Sequence, residues 1–322
     1  MNDETLAAVK KYIDHVFQSQ EELHAFHLNF FGGEPLLGYK RIVLPLVNYC
    51  HAKCKDNQTQ LQLQFTTNGY LISEKILTEL KDFNVNFQIT LDGGKEQHDK
   101  TRFLNNGKGS FDAITRNIAL IAHYHKNVCL RINFTADNIQ SVTTIKDFLQ
   151  SIPNEERGYI SIDFQRVWQD KDGPKNDDTD ETVVSFIEDF KQLGYNVSTY
   201  NTPQSALHLC YGDRNNQVLI NYDGNIFKCT ARDFTDQNAL GKLLQNGTIE
   251  WKGNLLQERQ TCKFSHAACH KCNIAPLCGG SCTQHAFELK DVEPDKCLFN
   301  YTEEDKQQKV LNRFEYLFML NK

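Results

Sequence analysis

Residues 269–282, CHKCNIAPLCGGSC, place four thiols within fourteen residues of a 322-residue chain. Closely spaced thiolates on turns can converge on one metal centre, and the paired glycines allow the backbone to fold around it. Soft sulfur ligands suit zinc and iron–sulfur clusters alike, and this run alone could satisfy a tetrahedral zinc ion. The pattern therefore indicates metal binding, with disulfide formation as the alternative.

The distribution of the cysteines favours metal over disulfides. The N-terminus, MNDETLAAVKKYIDHVF, lacks the features of a signal peptide, and no apolar run is long enough to span a bilayer, so we expect a cytoplasmic protein. Thiols stay reduced in that compartment. Eight of the eleven cysteines lie between Cys210 and Cys297, which predicts a separate C-terminal module. The net charge of −6 gives no reason to expect a nucleic-acid or membrane partner.

The first half of the chain alternates between strand and helix patterns, which predicts an α/β fold with a parallel sheet. Ser110 is the expected N-cap of one helix, and Pro45 is expected to kink the start of another. The stretch NVSTYNTPQSALH (196–208) is predicted to cross between domains, and Asp223 and Gly224 are predicted to form a hairpin turn. The predicted strands are AFHLNFF, LQLQFTTNG, NFQITLDGG, VCLRINFTADN and YISIDFQRV.

Polar residues gather where these strands end, which is the edge that carries the chemistry in barrel-type α/β folds. Gly32 and Gly33 follow the first strand and allow a close approach to a ligand, while Glu34 presents a carboxylate suited to a ligand ammonium group. TTNG follows the second strand, and the third runs into TLDGGKEQHDKTR. Because βα loops are polar in any such fold, these loops alone favour catalysis and simple turns equally.

Taken together, the three loops resemble those of the radical S-adenosylmethionine (SAM) enzymes, specifically the peptide-modifying branch of anaerobic sulfatase maturases and thioether-forming peptide maturases. The resemblance implies that the glycine–glutamate turn contacts the amino group of the cofactor's methionine moiety. It also implies that Thr90 lies near the ribose or carboxylate of the cofactor and that Arg102 is a carboxylate partner. The catalytic residue is unknown. The implied cofactor-binding residues are Gly32, Gly33, Glu34, Thr90, Asp92 and Arg102.

The sequence departs from this family upstream of Gly32. The family holds its catalytic cluster with a CxxxCxxC loop after the first barrel strand, whereas none of the 31 residues before Gly32 is cysteine. The segment from Cys50 to Cys54 has part of that spacing but lies in a predicted helix after the turn, so we interpret it as a coincidence. We therefore expect a partial (β/α) radical SAM-type barrel that lacks its first strand, through truncation or degeneration, and is inactive alone.

The C-terminal cysteines resemble the SPASM module, the extension of the same peptide-modifying enzymes, in a seven-cysteine pattern with an internal Gly224. The resemblance implies two auxiliary 4Fe–4S clusters, one on a first cysteine set and one on a second. The second cluster then has an open iron site or a further ligand, for which Cys262 is the candidate. The first set is Cys269, Cys272, Cys278 and Cys297, and the second set is Cys210, Cys229 and Cys282.

The resemblance also implies a domain organisation and a reaction. The predicted domains are the partial barrel at 1–195, the SPASM domain at 196–300 and a C-terminal helix at 301–322. In a complete family member, a reduced cluster splits SAM to a 5′-deoxyadenosyl radical, which takes a hydrogen atom from a peptide or protein substrate. A reductant such as flavodoxin or ferredoxin is the implied electron source.

Two observations leave the function open. Sulfatase maturases place a catalytic aspartate directly after the equivalent of Cys229, where this chain has Thr230, and the next acid is Asp233. The substrate is therefore not predicted. The competing functions are a non-catalytic iron–sulfur protein that binds peptides or relays electrons, and a structural zinc module on an unrelated α/β domain.

Overall fold

The computed structural model describes residues 1–19, 22–167, 179–199, 210–291 and 295–320. The chain forms two compact units. We call Glu22–Asn201 the barrel unit, and Met1–Glu21 together with Thr202–Lys322 the cysteine unit. The N-terminal helix α1 (Asp3–Ser19) thus belongs with the C-terminal residues, which differs from the predicted first domain at 1–195.

The barrel unit contains a parallel sheet of six strands whose spatial order is their chain order. The five predicted strands are confirmed. The sixth was not predicted, because its four residues fall in the stretch interpreted as a domain crossing, of which residues 200–208 lie outside the described ranges. The strands are β1 (Ala25–Phe30), β2 (Gln60–Thr67), β3 (Asn84–Asp92), β4 (Asn127–Phe134), β5 (Ile160–Arg166) and β6 (Asn196–Thr199).

Helices connect the strands of the barrel unit, as a parallel sheet requires. A π-helical turn, Tyr39–Val43, leads directly into the α-helix whose first turn contains Pro45, and the kink expected at this proline stays a prediction. The helices are α2 (Leu44–Asp56), α3 (Glu74–Glu79), α4 (Lys95–Thr101), α5 (Phe111–His123), α6 (Thr143–Gln150) and α7 (Thr179–Gln192).

The start of α5 is capped differently from the sequence prediction. Ser110 occupies the N-cap position, but its side chain makes no capping hydrogen bond. Instead, Asp99 Oδ1 accepts hydrogen bonds from the backbone N–H groups of Ser110 (2.8 Å) and Phe111 (2.9 Å). A carboxylate from the preceding helix therefore stabilises the helix start, where backbone N–H groups lack intrahelical partners.

The sheet buries one face and leaves the other polar. In β3, Phe87, Ile89 and Leu91 are at most 1% exposed, and they alternate with polar residues. Parallel sheets usually bury apolar residues on both faces, so a polar face indicates a surface available to a ligand. We call it the polar face. It includes His27, Asn29, Gln62, Gln64, Asn86, Gln88, Thr90, Asp92, Arg131, Asn133, Asp163, Gln165 and Ser198.

The cysteine unit is built on a four-stranded antiparallel sheet with the order β10-β9-β8-β7. The predicted hairpin is confirmed, since β7 pairs antiparallel with β8 and Gly224 has a φ of +85°. The strands are β7 (Leu219–Ile220), β8 (Asn225–Phe227), β9 (Gly241–Leu243) and β10 (Ile249–Trp251). The helices are α8 (Leu255–Thr261), α9 (Ala267–His270), α10 (Ala275–Cys278), α11 (Thr283–Leu289) and α12 (Glu303–Leu320).

Helix α1 packs on the turn between β9 and β10. Lys11 Nζ donates to the carbonyl of Gln245 at 3.0 Å, and a Cβ added to Gly247 would lie 2.5 Å from Lys11 Cβ. The helix therefore lies directly on this turn, which explains its grouping with the C-terminal residues.

Within the described ranges, no helix is long and apolar enough to cross a membrane.

Candidate functional site

Glu34 joins the loops that follow β1 and β2. Thr67 Oγ1 donates to its carboxylate at 2.7 Å, and the backbone N–H groups of Asn68 and Leu36 donate at 2.8 and 3.0 Å. Gly32, two residues before Glu34 in the sequence, has a φ of +127°, and a Cβ added there would contact nothing within 4 Å. The carboxylate already accepts from three protein donors, so it fixes the shape of the glycine–glutamate turn and retains limited capacity for a ligand ammonium group.

Asp92, at the end of β3, is held by an arginine and an amide. Arg102 Nε donates to Oδ2 at 2.6 Å, and Asn133 Nδ2 donates to Oδ1 at 2.9 Å. Burial acts to raise the pKa of Asp92, but the hydrogen bonds and charge of Arg102, with the Asn133 hydrogen bond, outweigh it and hold the pKa below its usual value. Asp92 is therefore ionised at neutral pH, and Arg102 is paired with a carboxylate of the protein itself.

His98 is a buried residue of this loop that the sequence reasoning missed. The backbone N–H of Asp92 donates to Nδ1 at 3.2 Å, and Nε2 lies 3.1 Å from Ser110 Oγ. Because the Ser110 hydroxyl donates to the carbonyl of Arg102 at 2.7 Å, His98 Nε2 carries the proton and donates to Ser110. Burial, followed by the charge of Arg102, lowers the pKa of His98 to about 4, so the ring is neutral. The His-Asp pair in TLDGGKEQHDKTR was the available signal.

The glycines of this loop allow it to pack closely against the chain after β4. Gly93 has a φ of +74°, which favours glycine. The N–H of Gly94 donates to Ser141 Oγ at 2.7 Å, and a Cβ at Gly94 would lie 2.1 Å from the carbonyl oxygen of Ser141. The loop is thus fixed by backbone contact as well as by the ion pair.

Thr90 lies on the polar face beside a series of hydrogen-bonded side chains. Its register neighbour on β4 is Arg131, whose Nε donates to Asn133 Oδ1 at 3.0 Å. Further along the face, Asp163 is the register neighbour of Arg131 on β5 and accepts from Ser198 Oγ at 2.9 Å. The predicted residues Thr90, Asp92 and Arg102 therefore lie on one polar surface with both acids and bases.

The first cysteine set surrounds a small cavity of about 50 Å³. Burial and then the neighbouring thiols raise the pKa of Cys269. Within the described residues, no three Cys, His, Asp or Glu side chains converge closely enough to hold a single metal ion. The four sulfurs therefore line the same cavity, but they are not close enough to one another to bind a single ion. The cysteines that line the cavity are Cys269, Cys272, Cys278 and Cys297.

The backbone beside this cavity turns through three successive left-handed residues. Gly279, Gly280 and Ser281 have φ values of +71°, +76° and +72°. Successive N–H groups in such turns can form a concave site for an anion, which is a feature of many iron–sulfur sites. A Cβ at Gly280 would lie 3.1 Å from the Phe264 ring, so the ring would have to shift slightly to admit a side chain there.

The second cysteine set also comes together. Burial raises the pKa of the Cys210 thiol, and the nearby thiols of Cys282 and Cys229 add to that rise. Cys229 Sγ lies 3.7 Å from Gln284 Oε1 on α11. The structure therefore brings three residues from distant parts of the sequence to one region of the cysteine unit.

Cys262, the candidate further ligand, is packed elsewhere. It is 3% exposed and forms a hydrophobic cluster with Ala286 and Leu298. Its sulfur donates to the carbonyls of Arg259 at 3.0 Å and Thr283 at 3.4 Å. This packing favours a structural thiol over a metal ligand.

Cys50 and Cys54 on α2 are core residues of the barrel unit. They are 0% and 2% exposed. Burial raises the pKa of Cys50 to about 12 and that of Cys54 to about 11, so both thiols stay protonated near neutral pH. This environment agrees with the interpretation of their spacing as a coincidence.

Comparisons with known proteins agree with this geometry. Residues 4–149 match the sequence profile of the Radical SAM superfamily. The chain is 27% identical over 279 residues to a cysteine-type anaerobic sulfatase-maturating enzyme of Clostridium novyi, covering 80% of this chain and 72% of that enzyme.

Two solved structures share the fold. Native anSMEcpe with bound AdoMet and Cp18Cys peptide superposes with a TM-score of 0.70 at 20% identity, covering 99% of this chain and 89% of that chain. Streptococcus suis SuiB bound to precursor peptide SuiA gives a TM-score of 0.57 at 14% identity, covering 89% and 67%. The six-stranded parallel sheet with its helices is thus a radical SAM partial barrel. Residues 4–149 are thus similar to the Radical SAM superfamily, and the chain is similar to an anaerobic sulfatase-maturating enzyme in sequence and to anSMEcpe and SuiB in fold.

Proposed function

We propose that this chain acts on a peptide or protein substrate as a radical SAM modifying enzyme and carries two auxiliary 4Fe–4S clusters in its cysteine unit. The observation that carries the proposal is the cavity lined by the first cysteine set. It brings together thiols that are up to 28 residues apart in the sequence, from Cys269 to Cys297. Four thiolates are the usual ligands of one such cluster.

The donor set fits a cluster better than a zinc ion. Tetrahedral zinc requires all four sulfurs at about 2.3 Å from one point, whereas the described thiols line a cavity without that convergence. The left-handed turn from Gly279 to Ser281 adds backbone N–H groups suited to an anionic group. When bound, the clusters would supply one-electron transfer, and the cysteines would hold them as thiolates after losing their protons.

The barrel unit supports binding of SAM and a peptide. Gly32, Gly33 and Glu34 are proposed to contact the cofactor's amino group, with Glu34 holding their turn in shape through Thr67. Thr90 on the polar face and the Asp92–Arg102 pair are proposed to define the rest of the cofactor site. The relatives support a peptide substrate, because anSMEcpe and SuiB are described with bound peptides.

A second candidate function is a non-catalytic iron–sulfur protein that binds peptides or relays electrons. The observation that favours it is Thr230, which stands where the resemblance expects the catalytic aspartate of sulfatase maturases. Cleavage of SAM is the activity that separates the two candidates.

Anaerobic reconstitution tests the proposal. Two auxiliary clusters predict about eight iron and eight sulfide ions per chain, with brown absorbance. Cys297→Ser should lower the content to about four, while Cys129→Ser, on β4 of the barrel unit, should leave it unchanged. A colourless protein with one or two zinc ions would overturn the proposal. Formation of 5′-deoxyadenosine from SAM with dithionite would favour the enzyme over the electron-relay candidate.

A further inference from the structure

Two positively charged side chains are buried in the cysteine unit. Arg259 is 2% exposed and Lys228 is 3% exposed. Lysine and arginine are almost never this buried unless they are paired, because removing a charge from water costs several kcal/mol. The identity of their partners is therefore informative.

The protein supplies these cations mainly with neutral partners. Lys228 Nζ donates to the carbonyl of Arg214 at 2.6 Å and also to that of Gln217. Arg259 Nη1 donates to the carbonyl of Gly212 at 2.7 Å. These bonds go to neutral carbonyl oxygens, which carry no full negative charge to balance the two cations.

One carboxylate lies beside them. Asp213 Oδ1 is 4.0 Å from Arg259 Nη1, but Asp213 Oδ2 is 3.0 Å from Lys263 Nζ. Lys228 has no ion pair with any described residue. In the part of the chain that the structure describes, Asp213 is thus shared between two cations, and the local charge is positive.

These cations border the second cysteine set. Gln284 Oε1 is 3.7 Å from Cys229 Sγ and 3.4 Å from Arg259 Nε, so one amide oxygen contacts both groups. A Cβ at Gly212 would lie 3.3 Å from both Cys229 Cβ and Arg259 Nη2. Lys228 directly precedes Cys229 in the chain. The guanidinium of Arg259 is therefore the buried charge beside Cys229, and Lys228 is the neighbour of that cysteine in the sequence.

We propose that Arg259 and Lys228 are positioning residues that compensate the negative charge of an iron–sulfur cluster on Cys210, Cys229 and Cys282 and raise its reduction potential. The inference rests on the proposed function, which supplies the cluster. A 4Fe–4S core with three thiolates is anionic, and gaining one electron from an external donor adds one negative charge. Nearby buried cations stabilise the reduced form more than the oxidised form, because their attraction grows with that charge.

Arg232 does not replace these residues. It lies near the same thiols, but its guanidinium forms two hydrogen bonds of 2.7 Å to the carboxylate of Glu288. This exposed pair is neutral as a whole. The net positive charge near the second set therefore comes from the buried cations.

The test is an anaerobic redox titration of the reconstituted full chain with dithionite, followed by EPR. Lys228→Met and Arg259→Met should shift one cluster signal to lower potential and leave the other in place. Lys228→Arg and Arg259→Lys, which keep the charge, should retain the wild-type potential. Lys252→Met is the matched control, since Lys252 also donates to a backbone carbonyl but is exposed.

The outcomes separate this inference from the proposed function. Wild-type protein without iron would contradict the proposed function itself. Wild-type iron content in the methionine variants with both potentials unchanged would overturn the inference alone. If one methionine variant loses iron, its charge-keeping counterpart takes its place in the test. The inference would also be overturned if that counterpart lowered the reduction potential as far as the remaining methionine variant does. It would likewise be overturned if both charge-keeping variants lowered the potential.

Discussion

Arg102 holds Asp92 through two nitrogens, with Nε 2.6 Å from Oδ2 and Nη2 3.4 Å from Oδ1. The carboxylate ends β3, and the guanidinium follows the short helix α4, so the pair closes the loop between them. Asn133 on β4 binds the same carboxylate. The arginine that the family resemblance assigned to a ligand carboxylate is thus part of the loop's own structure.

Asp92→Asn should destabilise the protein by about 1 kcal/mol at pH 7, a value kept low because the pair is partly exposed to solvent. Since the pKa of Asp92 is lowered on folding, its contribution is present above the unfolded pKa of about 3.9 and is lost as pH falls through the lower folded value. Urea unfolding at pH 7 and pH 3 measures this. Asp112→Asn, which removes an exposed pair with Lys95, is the control and should cost less.

His98 should make stability depend on pH in a different window. Its pKa of about 4 in the folded state lies below the unfolded value of about 6.5, so only the unfolded chain gains a proton between them. The contribution of neutral His98 is fully present above about pH 6.5 and decreases by roughly 3 kcal/mol at most by pH 4. His98→Gln should flatten this decrease in urea titrations, whereas His123→Gln, which is exposed, should not. A curve unchanged by His98→Gln would contradict the assignment.

Gly94→Ala should disturb the loop after β3. Its new methyl group would lie 2.1 Å from the carbonyl oxygen of Ser141, so the backbone has to move. We expect a loss of about 2 kcal/mol in the free energy of unfolding. Gly158→Ala is the matched control because a Cβ there contacts nothing within 4 Å. Equal stability of the two variants would show that the loop is not held against Ser141.

Cys262→Ala separates packing from metal binding. Removing the sulfur from the cluster with Ala286 and Leu298 should cost about 1 kcal/mol of stability. The iron content after reconstitution should equal that of the wild type, because the thiol donates to two carbonyls. Loss of iron in this variant, with Cys272→Ser as the positive control, would make Cys262 a ligand.

The elements with a clear local signal were predictable. The alternation in β3, with Phe87 and Ile89 buried between polar residues, identified a strand directly. The Asp223–Gly224 turn identified the β7–β8 hairpin. The strand β6 has four residues and no such signal. Ser110 was placed correctly at the N-cap position, but the carboxylate that accepts from the N–H groups of Ser110 and Phe111 belongs to Asp99 on another helix, which no local pattern reveals.

The types of residue in the candidate site were predictable from the sequence, whereas the side chains that each of them contacts were not. The family resemblance grouped the cysteines, but spacing alone does not reveal that they line one cavity or that Cys262 faces Ala286. His98 and Arg259 were missed because their significance depends on burial, which is a property of the tertiary structure. No local pattern indicates that α1 packs against Gln245.

The packing of α1 against the turn after β9 makes the cysteine unit discontinuous in sequence, with the whole barrel unit inserted between its two parts. During synthesis the first nineteen residues emerge long before their partner, and the ribosome has to produce more than two hundred residues before this contact can form. The packing of α1 is therefore completed late, after the inserted sheet has been synthesised.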